Sequence, residues 1–330
     1  MEKNHPKVNF GKTGVLIVNL GTPDSTSWWD IRRYLKEFLS DRRVIQLNPF
    51  IWQIILNLFI LNFRPSKTAE AYKKIWMQNE NMSPLRYYTQ MQTKKLRENL
   101  KYNNLFIDYA MRYGNPSINN VIEKLQKKGC ENLIVLPLYP QYAGATTATV
   151  CDEVYRALTK MRWQPSLQII PHYESESLYI DALNRSINKS ISKLKWKPDL
   201  VLASYHGIPK NYFEKGDPYH CYCQKTSRLL SEKFTSIPIQ TTFQSRFGPQ
   251  EWLQPYTDKT LESLPKEGKK NLLVICPGFA SDCVETLEEI NIQGRESFLK
   301  NGGKNFDLIP CLNDSSDHIA LFKKLVKKYL

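Results

Sequence analysis

The sequence contains neither of the glycine-rich loops with which most nucleotide enzymes hold phosphate. No Gly-x-Gly-x-x-Gly follows any apolar run, and no Gly-x-x-x-x-Gly-Lys-Ser/Thr occurs anywhere in the 330 residues. In those loops, consecutive backbone N–H groups face a phosphate at the start of a helix. Their absence argues against a dinucleotide or a nucleoside triphosphate as the ligand.

The sequence also lacks the marks of an exported or membrane-spanning protein. Its seven cysteines are an odd, widely spaced set, which is typical of reduced thiols in a cytosolic protein. Residues 1–12 are polar and have no apolar centre like that of a signal peptide. The apolar stretch at residues 50–63 is shorter than the roughly 20 residues that span a bilayer. We therefore expect a cytoplasmic protein.

The formal net charge is +14, from 46 Lys and Arg residues against 32 Asp and Glu residues. Such an excess is compatible with nucleic acid, an anionic membrane or an acidic substrate. The basic residues are scattered through helix-like stretches, and no zinc-finger, homeodomain or RNP pattern accompanies them. We interpret most of them as solvated helix faces and expect no nucleic-acid partner.

Short apolar runs alternate with Gly or Pro turns and helix-like segments, the pattern of βα units in a parallel sheet. This predicts an α/β fold. Strands are predicted at residues 15–18, 105–109, 133–136, 167–170, 200–203 and 272–275.

The chain also repeats itself. GVLIVNLGTP (14–23) matches PDLVLASYHGIP (198–209) in form, and KKGCENLIVLPLY (127–139) matches KEGKKNLLVICPGF (266–279). The two matches come in the same order in each half, which indicates a duplicated doubly wound domain. Ligands of such sheets bind beyond the carboxyl ends of the strands. The segments after these four strands should therefore converge on one cleft.

The apolar stretch at residues 50–63, FIWQIILNLFILNF, contains no charged residue. It is compatible with a buried core helix. It is equally compatible with an apolar lip that touches a membrane or an apolar ligand, and periodicity alone does not separate the two.

His206 is placed directly after a predicted strand, where Gly207 and Pro209 would fix the turn that presents it at the cleft. Taken alone, such a histidine is also compatible with a purely structural, hydrogen-bonded role.

The matching segment of the repeat supplies acids. Glu285, Glu289 and Gln293 fall at i, i+4 and i+8, on one face of a predicted helix. A solvated polar stripe is the alternative, but the position after a repeat-equivalent strand favours a site. A neutral imidazole and a carboxylate on opposed walls of a cleft can bind a borderline divalent metal such as Fe2+, transfer protons, or do both in turn.

Residues 201–219, VLASYHGIPKNYFEKGDPY, closely resemble the signature segment of ferrochelatases, which combines His, Gly and Pro with a downstream Gly-Asp. The resemblance covers nearly the whole chain. It continues through VNLGTPDS (18–25), YLKEFLSDRRVI (34–45), AMRYGNPS (110–117), LPLYPQYAGATT (136–147), FQSRFGPQEWLQPYTD (243–258) and GFASDCVETLEEI (278–290).

The resemblance implies a class II chelatase-like fold: two Rossmann-like domains with parallel sheets flanked by helices, and a porphyrin in the cleft between them. We expect an N-terminal domain at residues 1–165, which includes the lip, and a C-terminal domain at residues 166–314. The helix at 315–330 is expected to pack back on the first domain. The implied activity is that of a lyase inserting Fe2+ into protoporphyrin IX to form protohaem, the terminal step of haem biosynthesis.

The resemblance also implies roles for individual residues. His206 and Glu285 correspond to the metal and proton residues, and Glu289 continues a line of acids that ends here at Gln293. Residues 50–63 correspond to the lip of the pocket, with peripheral membrane contact at the inner face. The porphyrin-binding positions are Leu20, Arg64, Lys67, Ser83, Arg112, Tyr113 and Phe279, of which Arg64, Lys67 and Ser83 lie near the propionates.

We expect no resident cofactor, because Fe2+ is a substrate. Some relatives hold a [2Fe-2S] cluster with cysteines near the C-terminus, whereas here only Cys311 is near the end. The alternatives are a chelatase for coproporphyrin or cobalt, and a non-catalytic porphyrin or haem carrier. The order in which His206 and Glu285 meet the metal stays open.

Overall fold

The computed structural model describes residues 9–330. Most of the polar stretch at residues 1–12, which was predicted not to be a signal peptide, lies outside the described residues.

Two four-stranded sheets, in which every strand pairing is parallel, organise residues 9–330. This confirms the predicted α/β fold with two Rossmann-like sheets. The first has the order β2-β1-β3-β4, with β1 Lys12–Thr22, β2 Leu105–Gly114, β3 Cys130–Pro137 and β4 Ser166–Ile169. The second has the order β6-β5-β7-β8, with β5 Leu200–His206, β6 Ile239–Gln244, β7 Asn271–Ile275 and β8 Asn305–Leu308.

Helices cover the sheets. The α-helices are α1 Trp28–Leu39, α2 Pro49–Ile55, α3 Leu61–Ile75, α4 Pro84–Asn99, α5 Ile118–Lys127, α6 Thr149–Leu158, α7 Ser177–Ile191, α8 Lys210–Glu214, α9 Tyr219–Lys233, α10 Thr257–Ser263, α11 Arg295–Lys300 and α12 Ser316–Lys327. Wider π-helical turns occur at Leu56–Ile60, Gly144–Ala148 and Glu285–Gly294.

The central strand of each half is buried on both faces, as parallel sheets require. In β1, Val15 and Ile17 belong to one apolar cluster, whereas Leu16 and Val18 belong to another. Val201 of β5 lies in the same cluster as Val15. The two halves therefore share one continuous core.

The sequence repeat corresponds to equivalent strands. The matched segments are β1 with β5 and β3 with β7, and the two sheets have the same strand order. Strands β6 and β8 were not predicted. Both are edge strands, and their sequences, IQTTFQ and NFDL, lack the continuous apolar run of a central strand.

The boundary between the halves needs a small shift. Strand β4 begins at Ser166 and is hydrogen-bonded to β3, so a division after residue 165 separates it from its own sheet. We propose a boundary after β4. Helix α12, within the segment 315–330, packs against α4 of the first half and α7 of the second.

The apolar stretch at residues 50–63 forms α2, a π-helical turn and the start of α3. Trp52, Leu56 and Leu61 are buried, which is compatible with both interpretations. Phe50, however, is 77% exposed and Phe63 is 76% exposed. The interpretation as a buried core helix is therefore wrong. We call the outward face of this segment the lip; its exposed side chains are Phe50, Ile51, Ile54, Ile55, Leu58, Phe59 and Phe63. Within residues 9–330, no helix combines the length and apolarity needed to cross a membrane.

Candidate active site

His206 is the last residue of β5, at the carboxyl end of the second sheet. Its ring is half-buried, and Nδ1 lies 2.7 Å from the carbonyl oxygen of Gly207. A carbonyl oxygen can only accept a hydrogen bond, so this contact assigns the hydrogen of the neutral ring to Nδ1. The lone pair then lies on Nε2, which is left as a base or a metal ligand.

Glu285 is the first residue of the π-helical segment Glu285–Gly294 that follows β7. It is half-buried, and its main-chain oxygen accepts a hydrogen bond of 2.9 Å from Gln244 Nε2. π-Helical turns are often found at functional sites. This one replaces the regular α-helix that the sequence predicted.

The π-helical winding changes which acids share a face. Residues five apart are neighbours in a π-helix, and Gln293 is exposed and donates to Glu288, five residues before it, over 2.7 Å. Glu288 is itself buried and paired with Lys74. The predicted stripe of Glu285, Glu289 and Gln293 therefore does not continue outward to Gln293.

Glu289 is held by the residue that follows β6. Its carboxylate accepts hydrogen bonds from the Ser245 backbone N–H at 2.7 Å and the Ser245 hydroxyl at 2.5 Å. Burial raises the pKa of Glu289, and the charge of Glu285 raises it further; the Ser245 hydrogen bonds and the His206 ring oppose this without cancelling it. Glu289 is thus within electrostatic range of both His206 and Glu285.

Two tyrosines of the first half lie near Glu285, and no motif or spacing in the sequence predicted either of them. Burial, together with the charge of Glu285, raises the pKa of Tyr72 and of Tyr34. Both tyrosines pack in one apolar cluster with Val284, and α3 packs against the π-helical segment. Glu285 therefore lies where the two halves meet, beside hydroxyls that stay protonated.

His206 and Glu285 come from neighbouring strands of one sheet, because β5 pairs directly with β7. This differs from the expected placement on opposed walls. In the first half, the position equivalent to His206 is Leu20, which is half-buried on β1. The aromatic ring of Phe279 lies 6.5 Å from the ring of His206, measured between centroids.

Arg112 and Tyr113 are engaged inside the first half. Arg112 forms an ion pair of 2.5 Å with Asp41 and donates to the carbonyl and hydroxyl of Thr149. The Tyr113 hydroxyl donates to Asp41 over 2.9 Å, and its side chain is fully buried. Although burial opposes ionisation, the Thr149, Arg43 and Arg112 contacts lower the pKa of Asp41. Arg112 and Tyr113 therefore both bind Asp41, in the segment after α1.

Arg64 and Lys67 lie three residues apart on α3, next to the lip. Arg64 is half-buried and stacks on Phe247, 4.5 Å from the ring centroid, in the loop after β6. Burial lowers the pKa of Arg64, whereas Lys67 is exposed. Ser83 is separate from them: it is buried, and its hydroxyl accepts from the Arg86 N–H to cap α4.

No three or more His, Cys, Asp or Glu side chains converge as a metal site within residues 9–330. His206, Glu285 and Glu289 do not form such a group. The arrangement instead offers one imidazole lone pair, a carboxylate at the junction of the halves, and a second carboxyl group whose pKa is raised by burial.

Known proteins resemble this chain over nearly its whole length. The family described as Ferrochelatase matches residues 12–330. The chain is 57% identical to a ferrochelatase from Rhizobium meliloti (strain 1021), over 99% of this chain and 97% of that protein. It is 54% identical to a ferrochelatase from Allorhizobium ampelinum, over 100% and 97% of the two chains.

Among solved structures, the fold is similar to that of SirB from Bacillus subtilis with Fe3+. The TM-score is 0.61 at 10% sequence identity, over 96% of this chain and 95% of that chain. At this identity the likeness shows the fold alone.

Proposed function

This chain belongs to the ferrochelatase family, the enzymes that insert Fe2+ into a porphyrin to form haem, and we propose that its porphyrin is protoporphyrin IX. The observation that carries the proposal is the exposed apolar lip beside the cations Arg64 and Lys67 on α3. Protoporphyrin IX has two propionates and an otherwise apolar rim. Coproporphyrin carries four carboxylates, two of which would meet the apolar face.

Metal insertion is slow in water because a flat macrocycle hides its nitrogen lone pairs and its two N–H protons must leave. We propose that the binding energy of the apolar rim is used to bend the ring and expose those lone pairs. Leu20 and Phe279 are proposed to contact the macrocycle. Arg64 and Lys67 are proposed to bind the propionates.

His206 is proposed to accept a pyrrole proton at Nε2, the ring nitrogen that the Gly207 contact leaves unprotonated. Glu285 is proposed to bind the incoming metal or to take up a proton. Tyr34 and Tyr72 lie near this carboxylate and keep their hydroxyl hydrogens, because burial and the charge of Glu285 raise their pKa values.

Glu289 is proposed to relay protons away from the ring. A carboxyl group whose pKa is raised by burial exchanges protons closer to neutral pH than an exposed one. Because Glu289 is within range of both His206 and Glu285, it can exchange with either.

The test is metal insertion under anaerobic conditions with protoporphyrin IX and coproporphyrin, each with Fe2+, Zn2+ and Co2+. We expect Fe2+ and Zn2+ insertion into protoporphyrin IX to have the highest kcat/KM. A higher kcat/KM for coproporphyrin, or insertion of Co2+ alone, would contradict the proposed substrate.

We further propose that the enzyme acts in the cytoplasm and docks on the inner face of the membrane through the lip. The exposed apolar side chains, with Arg42 and Lys67 exposed nearby, suit an anionic bilayer surface. We also propose that it works without a resident iron–sulfur cluster. Acid-labile sulfide in anaerobically purified protein would contradict this.

A further inference from the structure

Gln244 is the last residue of β6 and lies opposite His206 in the sheet register. Its side chain is buried. A buried amide must find hydrogen-bond partners for both its oxygen and its nitrogen, because an unsatisfied polar group is unfavourable inside a protein. The partners of Gln244 therefore show what it holds in place.

The main chain of Gln244 holds the turn after His206. The Gly207 N–H donates to the Gln244 carbonyl oxygen over 2.8 Å. The carbonyl of the same glycine is the group that bonds His206 Nδ1. A Cβ at Gly207 would lie only 3.0 Å from the Gln244 oxygen, so glycine permits this close approach. Gln244 thus holds the N–H of the glycine whose carbonyl selects the tautomer of His206.

The side chain of Gln244 extends across the end of β5 to the segment that carries Glu285. Nε2 donates to the main-chain oxygen of Glu285 over 2.9 Å. Oε1 accepts from the Ser204 hydroxyl at 2.7 Å and lies 3.8 Å from Cys276 Sγ, after β7. Because the Glu285 carbonyl can only accept, these partners fix the orientation of the amide.

We propose that Gln244 is a positioning residue that sets the separation between His206 Nε2 and the Glu285 carboxylate. One residue contacts the turn that presents the imidazole and the first turn that presents the acid. The next residue, Ser245, holds Glu289. This inference rests on the proposed roles of His206 and Glu285. Displacements of about 1 Å in a catalytic arrangement lower rates by about 100-fold.

The first variant is Gln244→Met, which keeps the length of the side chain and removes both hydrogen-bonding groups. We expect kcat for Zn2+ insertion to fall about 10- to 100-fold, with KM for the porphyrin changed by less than about threefold. Gln240→Met, on the same strand but outside this network, is the matched control and should retain kcat to within about twofold.

The second variant, Gln244→Glu, separates positioning from a general loss of stability. When ionised, its carboxylate directs an acceptor at the Glu285 carbonyl; when protonated, it regains a donor there while keeping an acceptor for Ser204. We expect its kcat relative to wild type to rise as the pH is lowered from about 8 to about 6, while the same ratio for Gln244→Met stays constant.

A Gln244→Met protein with wild-type kcat would overturn the proposal, as would a Gln244→Glu ratio that does not change with pH. If the Met variant does not fold, the pH dependence of the Glu variant alone tests whether Gln244 positions His206 and Glu285. The assay uses whichever porphyrin wild type converts fastest, so an incorrect substrate assignment does not affect this test. Near-normal activity of His206→Ala would refute the underlying roles instead.

Discussion

At the scale of the residue, the site is made of three ionisable groups in three different surroundings. One carbonyl contact leaves the lone pair of His206 on Nε2. Two tyrosine hydroxyls lie near Glu285, and burial keeps them protonated. Glu289 accepts two hydrogen bonds from Ser245, yet burial still raises its pKa. Different surroundings allow chemically similar groups to take different roles in proton transfer.

Replacing His206 by alanine should abolish catalysis while leaving porphyrin binding intact. We expect Fe2+ or Zn2+ insertion to fall by at least about 100-fold, because the variant lacks the base that is proposed to receive the pyrrole proton. Binding should persist, since Phe279 and the lip are unchanged, and an absorbance titration measures it. His172→Ala, in the loop after β4, is the control and should be fully active. Near-normal turnover of His206→Ala would refute the assignment.

Replacing Glu289 by glutamine should make the protein more stable at high pH and slow the reaction. The pKa of this acid is raised in the folded state. The contribution of Glu289 to the free energy of unfolding is therefore fully present below its ordinary pKa and is lost as the pH rises through the raised pKa. We expect the variant to unfold at a higher Tm than wild type at about pH 8, with a smaller difference at about pH 5.

Activity gives the second measurement for Glu289→Gln. An amide still accepts a hydrogen bond from Ser245 but does not act as an acid or a base, so insertion should slow by about tenfold. An unchanged rate would remove Glu289 from the relay. A Tm difference that grows as the pH falls would contradict the raised pKa.

At the scale of the element, what the sequence predicts depends on burial. The central strands β1, β3, β5 and β7 are recognisable because both faces are covered, which produces continuous apolar runs. The edge strands β6 and β8 escape prediction because their sequences, IQTTFQ and NFDL, lack a continuous apolar run. A strand end could be predicted, and with it the position of His206.

The local geometry of the site was less predictable. The π-helical winding at Glu285–Gly294 cannot be predicted from the spacing of apolar residues. Gln293 was therefore predicted on the face of Glu285 and Glu289, whereas it contacts Glu288. The buried position of Arg112 depends on a partner distant in sequence, Asp41, whereas Ser83 is buried as the N-cap of α4. Motif resemblance identifies such residues but does not show which way their polar groups point.

The lip should bind anionic vesicles through its outward aromatic side chains. The triple variant Phe50→Ser, Phe59→Ser, Phe63→Ser removes three exposed rings without touching the buried Trp52. We expect its binding to vesicles containing phosphatidylserine to fall by at least about tenfold in co-sedimentation, because each ring buries apolar area in the bilayer.

The matched control for the lip replaces three other exposed aromatic residues by serine: Tyr102, Tyr155 and Trp163. It should bind vesicles as wild type does. Equal losses in both triple variants, or no loss in either, would contradict docking through the lip. Added salt should weaken wild-type binding, because Arg42 and Lys67, the cations near the lip that are exposed, are screened by ions.

At the scale of the whole molecule, one polar network joins the halves behind the site. Gln92 of α4 donates to the carbonyl oxygens of Ala280 and Asn313. The side chain of Asn313 pairs with Asp282, just before the π-helical segment. His318, at the start of α12, donates from Nδ1 to the Asn313 carbonyl over 2.7 Å. Both halves and the C-terminal helix therefore meet next to the segment that carries Glu285.

This network should make the whole protein sensitive to acid through His318. Its side chain is buried, and burial lowers the pKa of His318 from 6.5 to about 4. The unfolded chain therefore binds a proton that the folded chain excludes. The resulting stability is present above about pH 6.5 and is lost as the pH falls to about 4, with a slope of up to about 1.4 kcal/mol per pH unit.

His318→Gln isolates this contribution, because glutamine keeps a donor for the Asn313 carbonyl and does not titrate. Urea unfolding at a series of pH values between about 7 and about 4 should show the wild-type free energy of unfolding falling more steeply than that of the variant. Parallel curves would show that His318 does not link the junction to pH. A steeper fall for wild type would locate part of its acid sensitivity where α4, α12 and the π-helical segment meet.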